Sequence, residues 1–338
     1  MTPKVILVTG SVPPDACGIG DYTVALASAL EKAGQHVEVL CHREWSVAGT
    51  SQALRKLLTA GDALVHMQYP TLGYGYSLGP QISLLIKRSI VTIHEFSLAH
   101  PLRKLSLLPF TLRSPSLVMT SEFERRVIVQ KMPWISSRVR VIPIGSNIHP
   151  YRIHPKEREE SVAYFGLVTP GKGIEDFIEF ARLVRARNLD WELLIIGKIV
   201  PRHEAYAKSL MDILALYRVR LILDRSAEEV SELLARTGLA YLPFPDGASE
   251  RRGSLKAVLA AGLPCITTCG EQTPRELAKS VMLAAAPHQA ADAAVHLMAT
   301  KDAKARLSER AYEYSRQFAW EQIAELHLRM YRELDVAL

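Results

Sequence analysis

Short runs of apolar residues alternate with amphipathic stretches along most of the chain. The runs are rich in Val, Ile and Leu and are bounded by glycine, proline or polar residues, which is typical of buried strands. The stretches between them have the apolar spacing or the composition of helices. Strands that alternate with helices in this way predict an α/β protein with parallel sheets. The predicted strands are KVILVTG, HVEVLC, DALVHMQ, SIVTIHE, SLVMTSE and RVRVIPIG in the first half of the chain, and VAYFG, WELLIIG, VRLILD, LAYLPF, PCITT and VMLAA in the second.

The alternation is interrupted at residues 148–160, where proline, histidine and charged residues replace the apolar pattern. This composition is typical of a linker between domains. We therefore predict two Rossmann-like domains, residues 1–150 and 151–317, that face each other across a cleft. Residues 318–338 predict a helix with no strand after it, and we expect this helix to dock back onto the first domain.

The composition narrows the class of protein. The 338 residues are 48% hydrophobic and 22% charged, as in soluble globular proteins. No apolar stretch is long enough to span a membrane, and the N-terminal run is typical of a first strand and not of a signal peptide. The four cysteines have neither the density of a disulfide scaffold nor the spacing of a zinc site. These features predict a cytoplasmic protein with reduced cysteines and no metal.

The net charge of +6 favours an anionic partner, such as a phosphate group or an acidic membrane face. The sequence has no helix-turn-helix signature, no RNP motif and no stripe of basic and aromatic residues, so we predict no nucleic-acid partner. A mildly basic solvated surface is the alternative explanation of the charge.

Loops at the C-terminal ends of parallel strands bind ligands. The first such loop, in TGSVPPDACGIGDYT, carries Gly18, Gly20 and Asp21. It differs from a dinucleotide fingerprint because Thr23 replaces the third glycine and because the glycines begin well after the strand. We expect a loop that presents backbone amides and Asp21 to a ligand; a loop that is merely long is the alternative.

Two further strands end in polar residues. VTIHEFS places His94 and Glu95 at a strand end, and VHMQYP places His66, Gln68 and Tyr69 at another. A lone histidine is more often structural than catalytic, but its position at the binding edge favours a role for His94.

Lys172 lies between two glycines at a predicted helix start, in FGLVTPGKGIEDFIEFA. Backbone amides, the helix dipole and an ammonium group together favour a phosphate. The loop lacks the spacing of a Walker A motif, and a solvated surface lysine is the alternative.

A second anion site is predicted in GASERRGSLKAVLAAGLP, where a charged loop precedes an apolar helix. Ser254 is the expected N-cap, and free amides with two guanidinium groups suit a diphosphate. Glu250 is expected to accept hydrogen bonds from sugar or ribose hydroxyls. The alternative is a salt-bridged exposed loop. The residues assigned to this site are Glu250, Arg251, Arg252, Gly253, Ser254 and Leu255.

In their order and spacing, these segments resemble glycosyltransferase family 4 of the GT-B fold, over nearly the whole chain. PPDACGIGDYTVALASALEKAGQHVEVL is similar to the family's glycine loop, first long helix and second strand. VTIHEFS, TSEFERR and VIPIGSNI resemble its histidine-bearing strand, its serine-glutamate helix start and its interdomain strand. FGLVTPGKGIEDFIEFA and LPFPDGASERRGSLKAVLAAGLPCITT resemble the two donor-binding segments.

The resemblance implies a retaining, metal-independent transfer of a sugar from a nucleotide diphosphate sugar to an acceptor hydroxyl, without a permanently bound cofactor. The donor would bind the second domain and the acceptor the first. By motif, Lys172 would neutralise the leaving diphosphate, His94 would contact the transferred sugar, and Gly18 and Gly20 would face the phosphates. We place Glu250 with His94 and Lys172 among the catalytic residues.

The sequence departs from the family pattern at three positions. Leu167 stands where the family has an arginine, and Ser249 and Ala257 stand where it has two glutamates. Arg251 and Arg252 are candidates to supply the missing charge. Because the ribose-binding carboxylate is displaced, a nucleotide-sugar epimerase and a non-catalytic sugar-nucleotide or carbohydrate-binding protein are the alternative functions.

The acceptor is predicted to be a carbohydrate, a lipid-linked molecule or a small metabolite. IKRSI and HPLRKLSLLPFTLRSPS place basic residues beside leucines, a pattern that can make peripheral contact with an acidic inner membrane face. An ordinary core helix with a basic outer face is the alternative. The acceptor-side candidates are Asp21, Gln68, Tyr69 and Glu95.

Overall fold

The structure, a computed structural model, describes residues 4–15, 17–146, 148 and 158–335. The chain divides into two compact units, Met1–Gly145 with Phe318–Leu338 and Ser146–Gln317. The predicted domain boundary at residues 150 and 151 lies outside the described residues, as do the last three residues of the predicted C-terminal segment.

The described part of the first unit has a six-stranded parallel sheet and flanking helices. Its strands are β1 (Val5–Thr9), β2 (Val37–Cys41), β3 (Leu64–Tyr69), β4 (Ile90–Ile93), β5 (Leu117–Met119) and β6 (Val139–Val141). Its helices are α1 (Gly18–Lys32), α2 (Val47–Leu58), α3 (Gly79–Ile86), α4 (Pro101–Ser106), α5 (Leu108–Arg113), α6 (Glu122–Lys131) and, at the end of the chain, α15 (Trp320–Asp335). The strand order is β2-β1-β3-β4-β5-β6.

The β1 strand is apolar from Val5 to Val8 because both of its faces are covered. Val5 and Leu7 pack into one core, while Ile6 and Val8 pack into a second core on the other face of the sheet. This is the pattern expected of a parallel strand between two layers of helices.

The C-terminal helix α15 belongs to the first unit and packs against α1. Ile323 and Ala324 lie about one helical turn before Leu328, and all three share a core with Tyr22 and Leu26 of α1. Each large aliphatic side chain that is buried in this way stabilises the fold by about 1.5–3 kcal/mol. The helix therefore supplies part of the core of the unit in which the chain begins.

The described part of the second unit also has a six-stranded parallel sheet, in the order β12-β11-β10-β7-β8-β9. The strands are β7 (Ser161–Val168), β8 (Glu192–Ile199), β9 (Val219–Leu223), β10 (Leu239–Leu242), β11 (Cys265–Thr267) and β12 (Met282–Leu283). The helices are α7 (Ile174–Ala186), α8 (Glu204–Ser209), α9 (Met211–Leu216), α10 (Ala227–Arg236), α11 (Gly253–Ala260), α12 (Arg275–Lys279), α13 (Pro287–Ala299) and α14 (Lys301–Ser315).

The predicted α/β class with two parallel sheets is confirmed, and each predicted strand forms. Among the described helices, none has the length and apolar character needed to cross a bilayer.

Candidate functional site

The strand order of the second unit reverses between β7 and β10, and open parallel sheets bind ligands at such a reversal. The loop that follows β7 carries Lys172, and the loop that follows β10 carries Glu250 and the two arginines. The two sequence-predicted anion loops therefore lie at the same edge of one sheet.

Two contacts fix the Lys172 loop, one to β7 and one to the residue that follows β10. The hydroxyl of Tyr164 donates a hydrogen bond to the carbonyl of Lys172 at 3.1 Å. Gly173 has a φ of +84°, and a Cβ at this position would collide with the carbonyl oxygen of Pro243, just beyond β10. Only glycine accommodates both the left-handed conformation and this close approach. Lys172 is thereby fixed, half-buried, at the N-terminus of α7.

We expect Gly173→Ala to reduce the free energy of unfolding by about 2–4 kcal/mol, because it combines a left-handed backbone with a steric collision. Gly171→Ala is the matched control. Its φ is +72°, but a Cβ there would meet nothing within 4 Å, so we expect a loss of only about 1 kcal/mol. Chemical denaturation of both variants measures the difference. Equal losses would contradict the close approach to Pro243.

The second loop ends at the start of α11, and here one expectation is wrong. The N-cap of α11 is Arg252 and not Ser254, because the extended backbone of Arg252 places Gly253 as the first helical residue. Among the described residues, no side chain caps the amides of Gly253, Ser254 and Leu255. The Leu255 side chain is buried, so only its amide is available to a ligand. The helix start thus presents uncapped donors to an anion.

Arg252 is held in place from two sides. Its guanidinium pairs with Asp246 and lies 4.8 Å from the ring centroid of Phe244. It also lies close enough to Tyr164 for its charge to oppose the rise that burial causes in the pKa of that phenol. Because Tyr164 also binds the Lys172 loop, the Arg252 guanidinium and this loop lie near the same phenol. Arg251 is half-buried beside it.

Glu250 accepts a hydrogen bond of 2.6 Å from the hydroxyl of Tyr314 on α14. Burial, together with the carboxylate charge, raises the pKa of Tyr314, which keeps this phenol a proton donor. Tyr314 was not predicted from the sequence because it lies 64 residues from Glu250 along the chain.

Lys256 was also missed, although it interrupts the apolar run of α11. Burial lowers the pKa of Lys256 to about 8, an effect that the charge of Glu250 opposes. The interruption of an apolar helix by a lysine is the sequence signal that would have found it.

The departures from the family pattern lie at this same edge. Leu167 is 45% exposed near the end of β7, whereas Ser249 and Ala257 are 6% and 2% exposed. The positions at which the resemblance expects carboxylates are therefore buried and neutral, and Glu250 is a half-buried carboxylate next to the first of them.

In the first unit the strand order reverses between β1 and β3. The amide of Gly10 donates to the Thr71 side chain at 2.8 Å, so the loops after these strands touch. Gly20 lies in the first turn of α1, where a Cβ would come within 2.7 Å of the Ser11 carbonyl oxygen. Gly18 is the first residue of α1, and Asp21 is exposed in its first turn.

The start of α1 stabilises negative charge. Burial by itself would raise the pKa of the Cys17 thiol, but hydrogen bonds from the side chain of Ser11 and from the backbone of Leu72, Gly20 and Ile19 lower it below its ordinary value. That this loop presents backbone amides to a ligand stays a prediction.

His94 and Gln68 are brought together at the ends of β4 and β3. The Nε2 atom of His94 lies 3.0 Å from Oε1 of Gln68, and its ring packs edge-on against Tyr22 at 4.9 Å. Burial, and to a lesser extent the nearby His327, lower the pKa of His94 to about 3. His94 is therefore neutral near pH 7, and its Nδ1 has no hydrogen-bond partner in the described part of the chain.

His94 belongs to a buried histidine cluster that the sequence analysis did not recognise. His66 lies 2.7 Å from both the Thr92 and the Tyr331 hydroxyls. The His327 ring lies 5.6 Å from the His66 ring. Burial lowers the pKa of His327 to about 4, and burial with the charges of His327 and His94 lowers the pKa of His66 well below its usual value. We call His66, His94 and His327 the histidine cluster.

Tyr69 and Glu95 line a separate open cavity of about 700 Å³ in the first unit. The loop that carries Glu95 is held by the buried carboxylate of Glu124. This carboxylate accepts hydrogen bonds from the amides of Phe96 and Ser97 at 3.0 and 2.8 Å and from the Ser97 hydroxyl at 2.6 Å. Glu124 is thus a positioning residue.

Residues 159–300 match the family model described as glycosyl transferases group 1. The chain carries a group 1 glycosyltransferase domain. The predicted glycosyltransferase and its GT-B fold are confirmed, while membership of family 4 in particular stays a prediction. No curated protein sequence matches the chain.

Solved structures support the fold of this glycosyltransferase. Anabaena HepE in complex with UDP and glucose is 15% identical, with a TM-score of 0.69 and coverage of 98% of this chain and 100% of that chain. A glycosyltransferase from Rickettsia africae is 14% identical, with a TM-score of 0.75 and 98% coverage of both chains. Sucrose-phosphate synthase from Thermosynechococcus elongatus is 18% identical, with a TM-score of 0.66 and coverage of 99% and 100%. At such identities the likeness establishes the fold alone.

Proposed function

We propose that this glycosyltransferase moves a sugar, with retention of anomeric configuration, from a UDP-sugar to an acceptor hydroxyl. The observation that carries the proposal is the convergence of Lys172, Arg252 and the uncapped start of α11 at the β7–β10 reversal. The structures of HepE contain UDP and UDP-glucose, which supports a donor of the UDP type.

The main requirement that sugar transfer places on this edge of the sheet is the stabilisation of negative charge. As the bond between the anomeric carbon and the donor phosphate oxygen breaks, negative charge grows on the departing diphosphate. Fixed cations and amides stabilise that charge without reorganising at the moment of reaction. We propose that Lys172 and Arg252 with the α11 amides perform this role in place of a metal ion, and that Arg251 adds charge at the rim.

Glu250 is proposed to accept hydrogen bonds from a donor hydroxyl, since a carboxylate has acceptor capacity beyond its bond to Tyr314. His94 is proposed to contact the transferred sugar. Because its pKa is about 3, it does so as a neutral hydrogen-bonding group and not as a cationic acid. Gly18, Gly20 and Asp21 are proposed to contact the ligand through the start of α1. We also propose a cytoplasmic location, since the four cysteines are unpaired.

The test is calorimetric titration of the full chain with UDP, GDP and ADP. We expect UDP to bind at least about tenfold more tightly than the other two, because a base pocket that accepts a pyrimidine discriminates by shape and hydrogen bonding. Arg252→Met is expected to weaken UDP binding by about 10- to 100-fold, since it removes a charge-assisted contact to phosphate. Arg306→Met is the matched control, because Arg306 is an exposed arginine on α14. Absence of binding by any of the three nucleotides would refute the proposal.

A further inference from the structure

Helix α3 in the first unit has its apolar and polar sides in the opposite arrangement to that of an ordinary surface helix. Its solvent side carries an apolar stripe with helical spacing, while Gln81 and Ser83 are on its buried side. Surface helices normally place their polar face outward. The exposed stripe consists of Leu78, Ile82, Leu85 and Ile86.

The neighbouring helices α4 and α5 continue this surface, and α3 packs against α5. Leu102 and Leu105 on α4 are 72% and 67% exposed, and Leu112 on α5 is 65% exposed. Eleven of the 21 large hydrophobic side chains that are exposed in the described part of the chain fall within residues 72–112. So dense a patch on one segment marks an interaction surface. We call the exposed surface of α3, α4 and α5 the apolar face.

The apolar face also lies in a basic part of the sequence. Between residues 63 and 121 there is one carboxylate, Glu95, against five cations. Among the described residues none of these five cations pairs with a carboxylate. The cations are Lys87, Arg88, Arg103, Lys104 and Arg113.

A groove leads from the apolar face to the acceptor-side candidates. The cavity of about 700 Å³ has Tyr69 and Glu95 in its wall, and Leu98 and Leu102 also line it, of which Leu102 belongs to the apolar face. Arg103 contributes a cation to the same wall. One cavity therefore combines an apolar lining, a positive charge and two residues at the carboxyl ends of β3 and β4.

We propose that the apolar face lies on an anionic bilayer and that the groove takes its acceptor from that bilayer, as an anionic amphiphile. The acceptor assignment rests on the proposed glycosyl transfer. Leucines that project between lysines and arginines suit the boundary between headgroups and acyl chains, where the long cationic side chains reach the phosphates. A second copy of the chain is disfavoured as the occupant, because a symmetric contact would oppose two faces of the same positive charge.

The bilayer contact is tested by sedimentation of the full chain with vesicles of phosphatidylcholine, alone or mixed with phosphatidylglycerol. We expect binding to the mixed vesicles that is at least about tenfold stronger and that weakens with salt. Replacing both Leu102 and Leu105 by Gln, or both Arg88 and Arg113 by Gln, is expected to reduce the binding by at least about tenfold.

The matched controls are Leu216→Gln and Arg306→Gln, which change exposed side chains of the second unit and should leave vesicle binding unchanged. Equal binding to both kinds of vesicle, or no binding to either, would overturn the proposal. So would self-association in the absence of vesicles that the paired leucine substitutions abolish, since it would identify a second copy as the occupant.

The groove is tested separately with dodecyl phosphate below its micellar concentration, and with dodecyl maltoside and inorganic phosphate for comparison. We expect dodecyl phosphate to bind at least about tenfold more tightly than either, because apolar burial and charge act together. Ala99→Trp fills the groove and should abolish this binding, while vesicle binding persists. Equal affinity for dodecyl phosphate and dodecyl maltoside would overturn the anionic acceptor.

UDP titration of the same variants separates the two proposals. Each of them should bind UDP as the unmodified protein does, because the substitutions lie outside the second unit or far from its β7–β10 edge. If the unmodified chain bound vesicles but did not bind UDP, the donor proposal would be refuted and the bilayer contact would still be supported.

Discussion

Lys172→Ala is expected to lower kcat for turnover of UDP-glucose by about 100- to 1,000-fold, the usual effect of removing one preorganised group that stabilises transition-state charge. The ammonium group stands at the start of α7, on a loop fixed by Tyr164 and by the close approach of Gly173 to Pro243. Its charge matters most when the diphosphate departs, so kcat should fall more than the affinity for the donor. Steady-state kinetics with release of UDP as the readout measures both.

Two further variants define what the Lys172 effect means. Lys172→Arg keeps a cation and should recover part of the rate, and Lys301→Ala removes an exposed lysine from α14 and should change nothing. If Lys172→Ala stayed within about threefold of the unmodified enzyme, leaving-group stabilisation would have to be assigned elsewhere.

Lowering the pH from 7.5 to 5.5 is expected to reduce the free energy of unfolding by about 4 kcal/mol through the histidine cluster alone. His66, His94 and His327 have pKa values depressed by burial, to about 3 for His94 and about 4 for His327. In the unfolded chain they titrate near pH 6.5, so below that pH the unfolded state binds protons that the folded state excludes. The contribution of the three histidines to the free energy of unfolding is fully present above pH 6.5. It is lost as the pH falls towards the pKa values of the folded state.

Each histidine contributes about 1.4 kcal/mol to that loss at pH 5.5, which makes the contribution separable. Removing one titrating ring with His327→Leu should reduce the pH-dependent loss by about a third, whatever its effect at pH 7.5. His296→Gln is the control, because His296 is exposed on α13. Urea denaturation at a series of pH values gives the comparison, and identical slopes for His327→Leu and the unmodified protein would show that the cluster is not the cause.

The strands could be predicted because a parallel strand covered on both faces must be apolar throughout. In β1, Val5 and Leu7 serve one core and Ile6 and Val8 the other, so local sequence is sufficient to recognise the strand. The two predicted anion loops could also be recognised from local sequence. Lys172 between glycines, and two arginines before α11, follow directly from residue types at a strand-to-helix turn.

The starts of two helices show that residue types alone do not always predict the N-cap. Ser226 caps α10 in a capping box with Glu229, as the residue types predict. Ser254 has the same chemistry but lies inside α11, because the loop enters the helix in the direction set by Arg252, which is held by Asp246 and Phe244. The position of a cap follows from the path of the backbone and not from the residue type alone.

By itself, then, the sequence determined the parallel α/β architecture, the strands and the presence of cationic residues in two loops at strand ends, since each depends on neighbours in the chain. Only the tertiary structure decided what surrounds the polar groups. The bond from Tyr314 to Glu250 spans 64 residues, and the contact of His66 with Tyr331 spans 265. Burial keeps His94 neutral near pH 7, and the packing of α3, α4 and α5 leaves leucines exposed to solvent. These properties depend on which distant residues exclude water from a group, and the local sequence does not show which residues those are.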